Sequence, residues 1–256
     1  KVTMYKVVPK SLALVSALSI ATLFSALSNA TVVEVATSQG NFKVNLHDQT
    51  TPKTVENFLK YINDGDYNNT VVHRLVPNFI MQAGGFKFNG DLPLTPIDVD
   101  DSIQNEPIYS NVRGTIAMAK LGNNPNSATS QWFINYKNNS ANLDLQNSGF
   151  TVFGEVIEGM DNIDKIALIQ PCQERPMPGY TSEQCANSNF VPGVDNFVTI
   201  HSLTIIDSSA TTDTSLASVK NTLINKEESI TSDSGGSLSY FVLCALTLLG
   251  FRRKLK

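Results

Sequence analysis

Val72-His73-Arg74-Leu75-Val76-Pro77-Asn78-Phe79-Ile80-Met81-Gln82-Ala83-Gly84-Gly85-Phe86 is the stretch on which the fold turns. It reads as two short β runs, over 71–75 and 79–83, separated by the turn residues Pro77-Asn78. Arg74 lies among apolar neighbours in the first run. An unpaired buried charge is costly, so this arginine must line a cavity or pair with a polar group. Strand alternation turns His73 to the opposite face, where a hydrogen-bonded core histidine is its simplest role. In the second run Phe79, Met81 and Ala83 share one face, and Ile80 and Gln82 the other.

Upstream, the runs 32–37 and 42–46 flank Ser38-Gln39-Gly40-Asn41, and Phe42, Val44 and Leu46 alternate with Lys43 and Asn45. The pattern predicts a hairpin with one buried face. A helix follows. Thr51 suits its N-cap, Pro52 its first turn, and Gly65 its end, with Val55, Phe58, Leu59 and Ile62 on one apolar face. Downstream come β runs at 113–118, 131–135 and 151–156, a second helix at 160–169 and a last strand at 197–205. Many short strands with two helices predict a mainly β fold, an antiparallel barrel capped by helices. Neither a 20–50-residue repeat nor a βαβ alternation is present.

In the run 131–135, Gln131 and Phe133 share a face, with Trp132 on the reverse as a core residue. Two glutamines beside aromatic rings, and one arginine, describe a shallow apolar pocket with a few fixed polar groups. An ordinary core with glutamines at its edge has the same composition. The chain lacks G-x-S-x-G, a phosphate loop, G-x-G-x-x-G and H-E-x-x-H. Its histidines, His47, His73 and His201, are far apart and have no metal-ligand spacing, so no metal site is expected.

The formal charge of −4 is a sum over unlike parts. Residues 31–207 hold 10 basic and 19 acidic side chains, a balance that argues against a nucleic-acid partner. Residues 1–30 hold Lys1, Lys6 and Lys10 and no acid, then a run over 11–27 rich in Leu, Ala and Val, then Ser28-Asn29-Ala30. This reads as a secretory signal peptide cut after Ala30, and small residues so soon after a short apolar run favour it over an uncleaved anchor. At the other end Ser234-Gly235-Gly236-Ser237 precedes an apolar run over 238–251 and the basic Arg252, Arg253, Lys254 and Lys256. As a helix that run rises only about 21 Å, short of a ~30 Å hydrocarbon core. It resembles the bacterial Gly-Gly sorting tails, which anchor transiently in the membrane and are removed by a rhomboid-type protease. A plain tail anchor is the alternative. Between domain and tail, 208–233 is rich in Ser, Thr and Asn and reads as a flexible spacer. The expected units are therefore 1–30, 31–207, 208–233 and 234–256.

The quoted stretch from Val72 to Phe86 resembles the signature of the cyclophilin family of peptidyl-prolyl isomerases. Thr54-Val55-Glu56-Asn57-Phe58, Gly114-Thr115-Ile116-Ala117-Met118-Ala119, Ser127-Ala128-Thr129-Ser130-Gln131-Trp132-Phe133-Ile134-Asn135, Asn142-Leu143-Asp144 and Phe150-Thr151-Val152-Phe153-Gly154-Glu155-Val156 resemble its other blocks, in collinear order. Ser-Ala-Thr-Ser-Gln is most similar to the exported bacterial branch. The resemblance implies an eight-stranded barrel closed by two helices, with the active groove on its outside. It also implies cofactor-free cis/trans isomerisation of X-Pro bonds in proline-containing unfolded or exported polypeptides. Amide resonance sets the rotation barrier at ~18–20 kcal/mol. Twisting localises the lone pair on the prolyl nitrogen, so a fixed guanidinium that donates to it stabilises only the twisted state. By resemblance Arg74 has that role. Phe79, Ile80, Phe133, Leu143 and Phe150 hold the proline ring, Gln82 and Gln131 orient backbone and Arg74, and Ala119 and Lys120 touch the peptide, partly through main chain.

The chain departs from the best-known members at three of these positions. Asn142 stands where many have Trp, Phe150 where many have His, and Lys120 where many have Asn. The Trp contributes to cyclosporin binding in the family, so weak cyclosporin sensitivity is expected. The same departures motivate a rival reading, a non-catalytic cyclophilin-like peptide-binding or holdase module. Cys172 and Cys185 flank a Pro- and Gly-containing loop, and in an exported protein a disulfide between them is expected, against two free thiols. Export would make signal peptidase, and then the rhomboid-type sorting protease, processing partners.

Overall fold

Alternating apolar residues build the first hairpin, β1 (Val32–Thr37) and β2 (Phe42–Leu46), in which Phe42, Val44 and Leu46 are buried. The computed structural model describes residues 31–187, 189–209 and 216–224. Helix α1 (Pro52–Asn63) follows and buries Val55, Phe58 and Tyr61. Thr51 occupies the N-cap position but does not cap, because its hydroxyl donates to the His47 carbonyl at 3.1 Å. The exposed N–H groups of Lys53 and Thr54 are taken instead by the Glu106 carboxylate, at 3.3 and 2.9 Å. A carboxylate also suits the positive end of the helix.

The sheet continues with β3 (Thr70–Val71), β4 (Arg74–Val76), β5 (Ile80–Ala83), β6 (Phe86–Lys87), β7 (Thr95–Pro96), β8 (Thr115–Met118) and β9 (Trp132–Asn135). After the short α2 (Ser140–Leu143) come β10 (Val152–Glu158) and α3 (Met160–Ala167). A separate hairpin, β11 (Pro171–Cys172) and β12 (Arg175–Pro176), leads to α4 (Ser182–Ala186) and the closing strand β13 (Thr199–Asp207).

The antiparallel sheet runs β4-β5-β9-β8-β10-β2-β1-β13-β3-β6-β7. Its first strand, β4, and β3 near its far end are consecutive in the chain, joined by Val72 and His73 alone. Val72 N–H donates to the Val198 carbonyl on one side, and His73 N–H to the Gln82 carbonyl on the other. One bent segment thus joins both ends and curls the sheet on itself. The sheet has eleven strands against the eight expected: β3 and β4 divide one bent segment, and β6 and β7 are additional; the continuous run expected over 71–75 breaks at 72–73 because the segment changes partners there. β6 and β7 extend the sheet beyond β3. Of the helices, α1 and α3 are the two expected, and α3 ends at Ala167 rather than 169.

β5, β8 and β9 are buried on both faces, whereas β4 is buried only at Leu75, with Arg74 and Val76 half-buried. Leu75, Met81, Ile134 and Ile116 point into the main core with Trp132, whose ring meets Phe58 edge-on at 6.4 Å. The alternate residues Ile80, Ala117 and Phe133 form a second cluster outside the curl, with Leu143, Phe150 and Val152. A third lies around Cys172, Met177, Tyr180, Phe197 and Val71.

Part of the segment read as spacer lies on the domain. Ser110 N–H donates to the Val219 carbonyl and Asn221 N–H to that of Ile108, so 219–221 runs antiparallel to 108–110. Lys220 Nζ sits 4.2 Å from the Tyr109 ring centre. The proposed signal peptide (1–30) and sorting tail (234–256) lie outside the described residues. Among the described residues no helix is long and apolar enough to cross a membrane.

Candidate active site

Antiparallel register puts Arg74 of β4 opposite Gln82 of β5, Gln82 opposite Phe133 of β9, and Phe133 opposite Ala117 of β8. Directly opposed residues share a face, so arginine, glutamine and phenylalanine form a row across the outside of the curl. Gln82 is buried, and its Nε2 donates to Gln131 Oε1 at 2.8 Å. Gln131 lies over Gly85, where a Cβ would come within 2.7 Å of its side chain. The paired glycines that end the quoted stretch therefore have separate uses. Gly85 leaves room for Gln131, whereas Gly84 takes φ +77° against the Trp132 ring.

The apolar wall beside this row is built from Ile80, Phe133, Leu143 and Phe150, with Phe79 and Ala119 packed against it. Phe133 and Phe150 meet edge to face at 5.8 Å. Strict alternation grouped Phe79 with Met81, but Phe79 joins the groove side. The strand begins only at Ile80, and Phe79 belongs to the turn closed by its N–H on the Val76 carbonyl at 3.0 Å. Asn78 enters that turn with φ +56°.

A buried polar network behind the wall holds it in place. The Asp144 carboxylate accepts from Ser110 Oγ at 2.5 Å, Asn111 N at 2.8 Å and Asn111 Nδ2 at 3.0 Å. Asn111 Nδ2 also reaches the Phe150 carbonyl, and Asn139 Nδ2 the Phe79 carbonyl at 3.0 Å. Asn135 links the two asparagines. Only the Asn142-Leu143-Asp144 and 127–135 blocks hinted at these residues; the role of Asn111 and Asn139 appears only when the loops meet.

Lys120 turns inward. Its ammonium lies 4.8 Å from the Phe150 ring centre and donates to the carbonyls of Asn147 and Gly149 at 2.9 and 2.6 Å. Burial lowers its pKa to about 8. Its side chain therefore ties down the loop below Phe150 and leaves only main chain for a peptide. His73 rests its ring against Phe86 at 4.8 Å, and burial lowers its pKa to about 4. Cys172 and Cys185 form a disulfide in the third cluster.

The partner that Arg74 needed comes from a place the sequence did not suggest. Arg74 Nε donates to Glu174 Oε2 at 2.9 Å, from the tip of the β11–β12 hairpin. No group of three or more metal-ligating side chains gathers among the described residues.

A family model described as cyclophilin type peptidyl-prolyl cis-trans isomerase/CLD matches residues 32–186. The chain is 43% identical over 145 residues to a peptidyl-prolyl cis-trans isomerase of Acinetobacter baylyi, covering 56% of this chain and 75% of that one. It is 39% identical over 139 residues to peptidyl-prolyl cis-trans isomerase B of Escherichia coli, covering 53% and 83%. A cyclophilin type isomerase of Cryptosporidium parvum shares the fold, with a TM-score of 0.51 at 22% identity over 69% of this chain and 97% of that one.

Proposed function

Since the chain belongs to the cyclophilin-type peptidyl-prolyl cis-trans isomerase family, we propose that the outer groove binds X-Pro peptides and that Arg74 stabilises the twisted amide. The observation that carries this reading is the cross-strand row of Arg74, Gln82 and Phe133. It sets a cation, an amide and an aromatic ring side by side on one rigid surface. The ring wall of Phe133, Phe150, Leu143 and Ile80 fits a proline. Donors beside it meet charge that develops only on the prolyl nitrogen. No proton moves, so a site without an acid/base pair is suited to the reaction.

We further propose an extracytoplasmic role in folding exported polypeptides. Its supports are the apolar run and Ser28-Asn29-Ala30 near one end, the Gly-Gly element with its basic tail near the other, and the Cys172–Cys185 disulfide, a bond favoured in oxidising compartments. On this reading signal peptidase and a rhomboid-type protease process the chain, with at least transient membrane attachment through the tail. Mass spectrometry of the mature chain from cells tests it: termini near 31 and 234 are expected, and an unprocessed chain in the cytoplasm would contradict it.

Acceleration of cis-to-trans conversion in a short X-Pro peptide tests the activity. The inward turn of Lys120 onto Phe150 favours asking whether the groove only binds; a peptide that binds without acceleration would establish the holdase reading instead. Asn142 is expected to leave cyclosporin inhibition weaker than in Trp-bearing relatives, and an equally low inhibition constant would contradict that.

A further inference from the structure

We infer that Glu174 is the positioning residue for the Arg74 guanidinium, delivered to it by the disulfide-held hairpin β11–β12. The inference rests on the reading of Arg74 as the catalytic arginine. Two bonds join hairpin tip to strand β4. The Glu174 carboxylate accepts from Arg74 Nε at 2.9 Å, and the Glu174 carbonyl accepts from Leu75 N–H at 2.5 Å. Strand β4 ends the sheet order, so its outer edge has backbone donors to spare, and the hairpin tip takes one of them.

The guanidinium is a planar fork, and fixing Nε fixes its plane. Glu174 does this from the hairpin tip at the free edge of β4. Among the described residues, the two terminal nitrogens of Arg74 have no protein acceptor, which leaves them for a substrate on the groove side, where Gln82 is the cross-strand neighbour. The Arg74 side chain is only 14% exposed and that of Glu174 39%, so the arginine end of the pair is the shielded one. Without Glu174 the arginine would sample several rotamers, and each productive encounter would have to order it again.

The hairpin is built for this tip. Cys172 pairs with Arg175, leaving Gln173 and Glu174 as a two-residue turn with φ of +51° and +67°. Turns of that shape usually take Asn-Gly. Holding two long side chains in the left-handed region persists only where the surroundings enforce it. Here the Leu75 bond and the Cys172–Cys185 disulfide enforce it. A glycine would make the turn easier but would offer Arg74 nothing.

The test compares wild type, Arg74→Ala, Glu174→Ala, Glu174→Gln and the Arg74→Ala/Glu174→Ala double variant of the full chain. It reads kcat and KM on an X-Pro peptide, thermal melting, and the Arg74 Nε–H cross-peak in 1H–15N NMR. Glu174→Ala is expected to lower kcat about tenfold with KM nearly constant, and to shift the Nε–H peak. Glu174→Gln keeps an oxygen at the same reach and is expected to lose only about threefold. In the Arg74→Ala background, removal of Glu174 is expected to cost nothing further. Two results overturn the inference while the Arg74 reading stands. One is an unchanged or raised kcat in Glu174→Ala and Glu174→Gln beside an inactive Arg74→Ala. The other is a loss from Glu174→Ala that adds fully to that of Arg74→Ala, as a merely structural role would. Full activity in Arg74→Ala removes both readings together. Should Glu174→Ala not fold, Glu174→Gln and its Nε–H peak decide alone.

Discussion

Gly85 has room for a hydrogen and little more, because a Cβ there would lie 2.7 Å from the Gln131 side chain. Gly85→Ala is therefore expected to push Gln131 off Gln82 and lower kcat/KM by roughly tenfold to a hundredfold, with little change in melting temperature. Gly84→Ala meets the Trp132 ring and a left-handed backbone instead, and is expected to cost about 1–3 kcal/mol of stability. Peptide kinetics and melting curves on the two variants separate these effects; two variants that behave alike would contradict the division of labour. At this scale the sequence was informative wherever a residue broke a local rule. A charged Arg74 in an apolar run demanded a partner, and Gln82 and Gln131 beside aromatic rings marked a polar rim. It was silent on which acid would answer Arg74, because Glu174 stands 100 positions away and nothing in its neighbourhood encodes the meeting. Two-residue alternation says nothing about where a strand begins, so it sets Phe79 on the wrong face.

At the scale of elements, the hairpin β11–β12 is an attachment with leverage. The disulfide spans 13 positions, and a loop of that size is worth about 3 kcal/mol in the chain-entropy model. Replacing Cys172 and Cys185 by Ser is expected to lower stability by about that amount. It should also lower kcat in the direction of Glu174→Ala, since the turn loses one of its two restraints. Denaturant titration and peptide kinetics check both, and an unchanged kcat would show that the Leu75 contact alone holds the tip. Elements with strong periodicity, α1, α3 and the first hairpin, were legible within a few residues. The break between β3 and β4 was not, because Val71 and Val72 look alike locally and only the change of partner from β13 to β5 divides the run. Nor was the docking of 219–221 legible, because that segment's composition is polar. Its main-chain bonds to 108–110 use groups that every residue has.

At the scale of the whole molecule, stability is tied to pH through buried imidazoles. His47 lies against the Tyr109 ring at 4.4 Å, with Ser218 Oγ 3.4 Å and Glu155 Oε1 3.9 Å away. Burial, and then the nearby Lys220 charge, lower its pKa from 6.5 to about 4. The folded state therefore holds a neutral ring at pH values where the unfolded chain takes up a proton. This contribution is complete above pH 6.5 and is lost as pH falls from there toward 4, at about 1.4 kcal/mol per pH unit for one such group. His73 acts in the same direction. His47→Gln is expected to flatten the stability profile over that window, and a profile as steep as wild type would contradict this. The domain carries its charge and its chemistry on opposite terms: a body of formal charge −9 across residues 31–207 presents one arginine to the groove. The account stands on that arginine. The most direct measurement is the cis-to-trans rate of a short X-Pro peptide with wild type and with a folded Arg74→Ala variant. Wild type is expected to accelerate the conversion and Arg74→Ala to lose on the order of a hundredfold of that acceleration; equal rates for the two proteins would contradict the account.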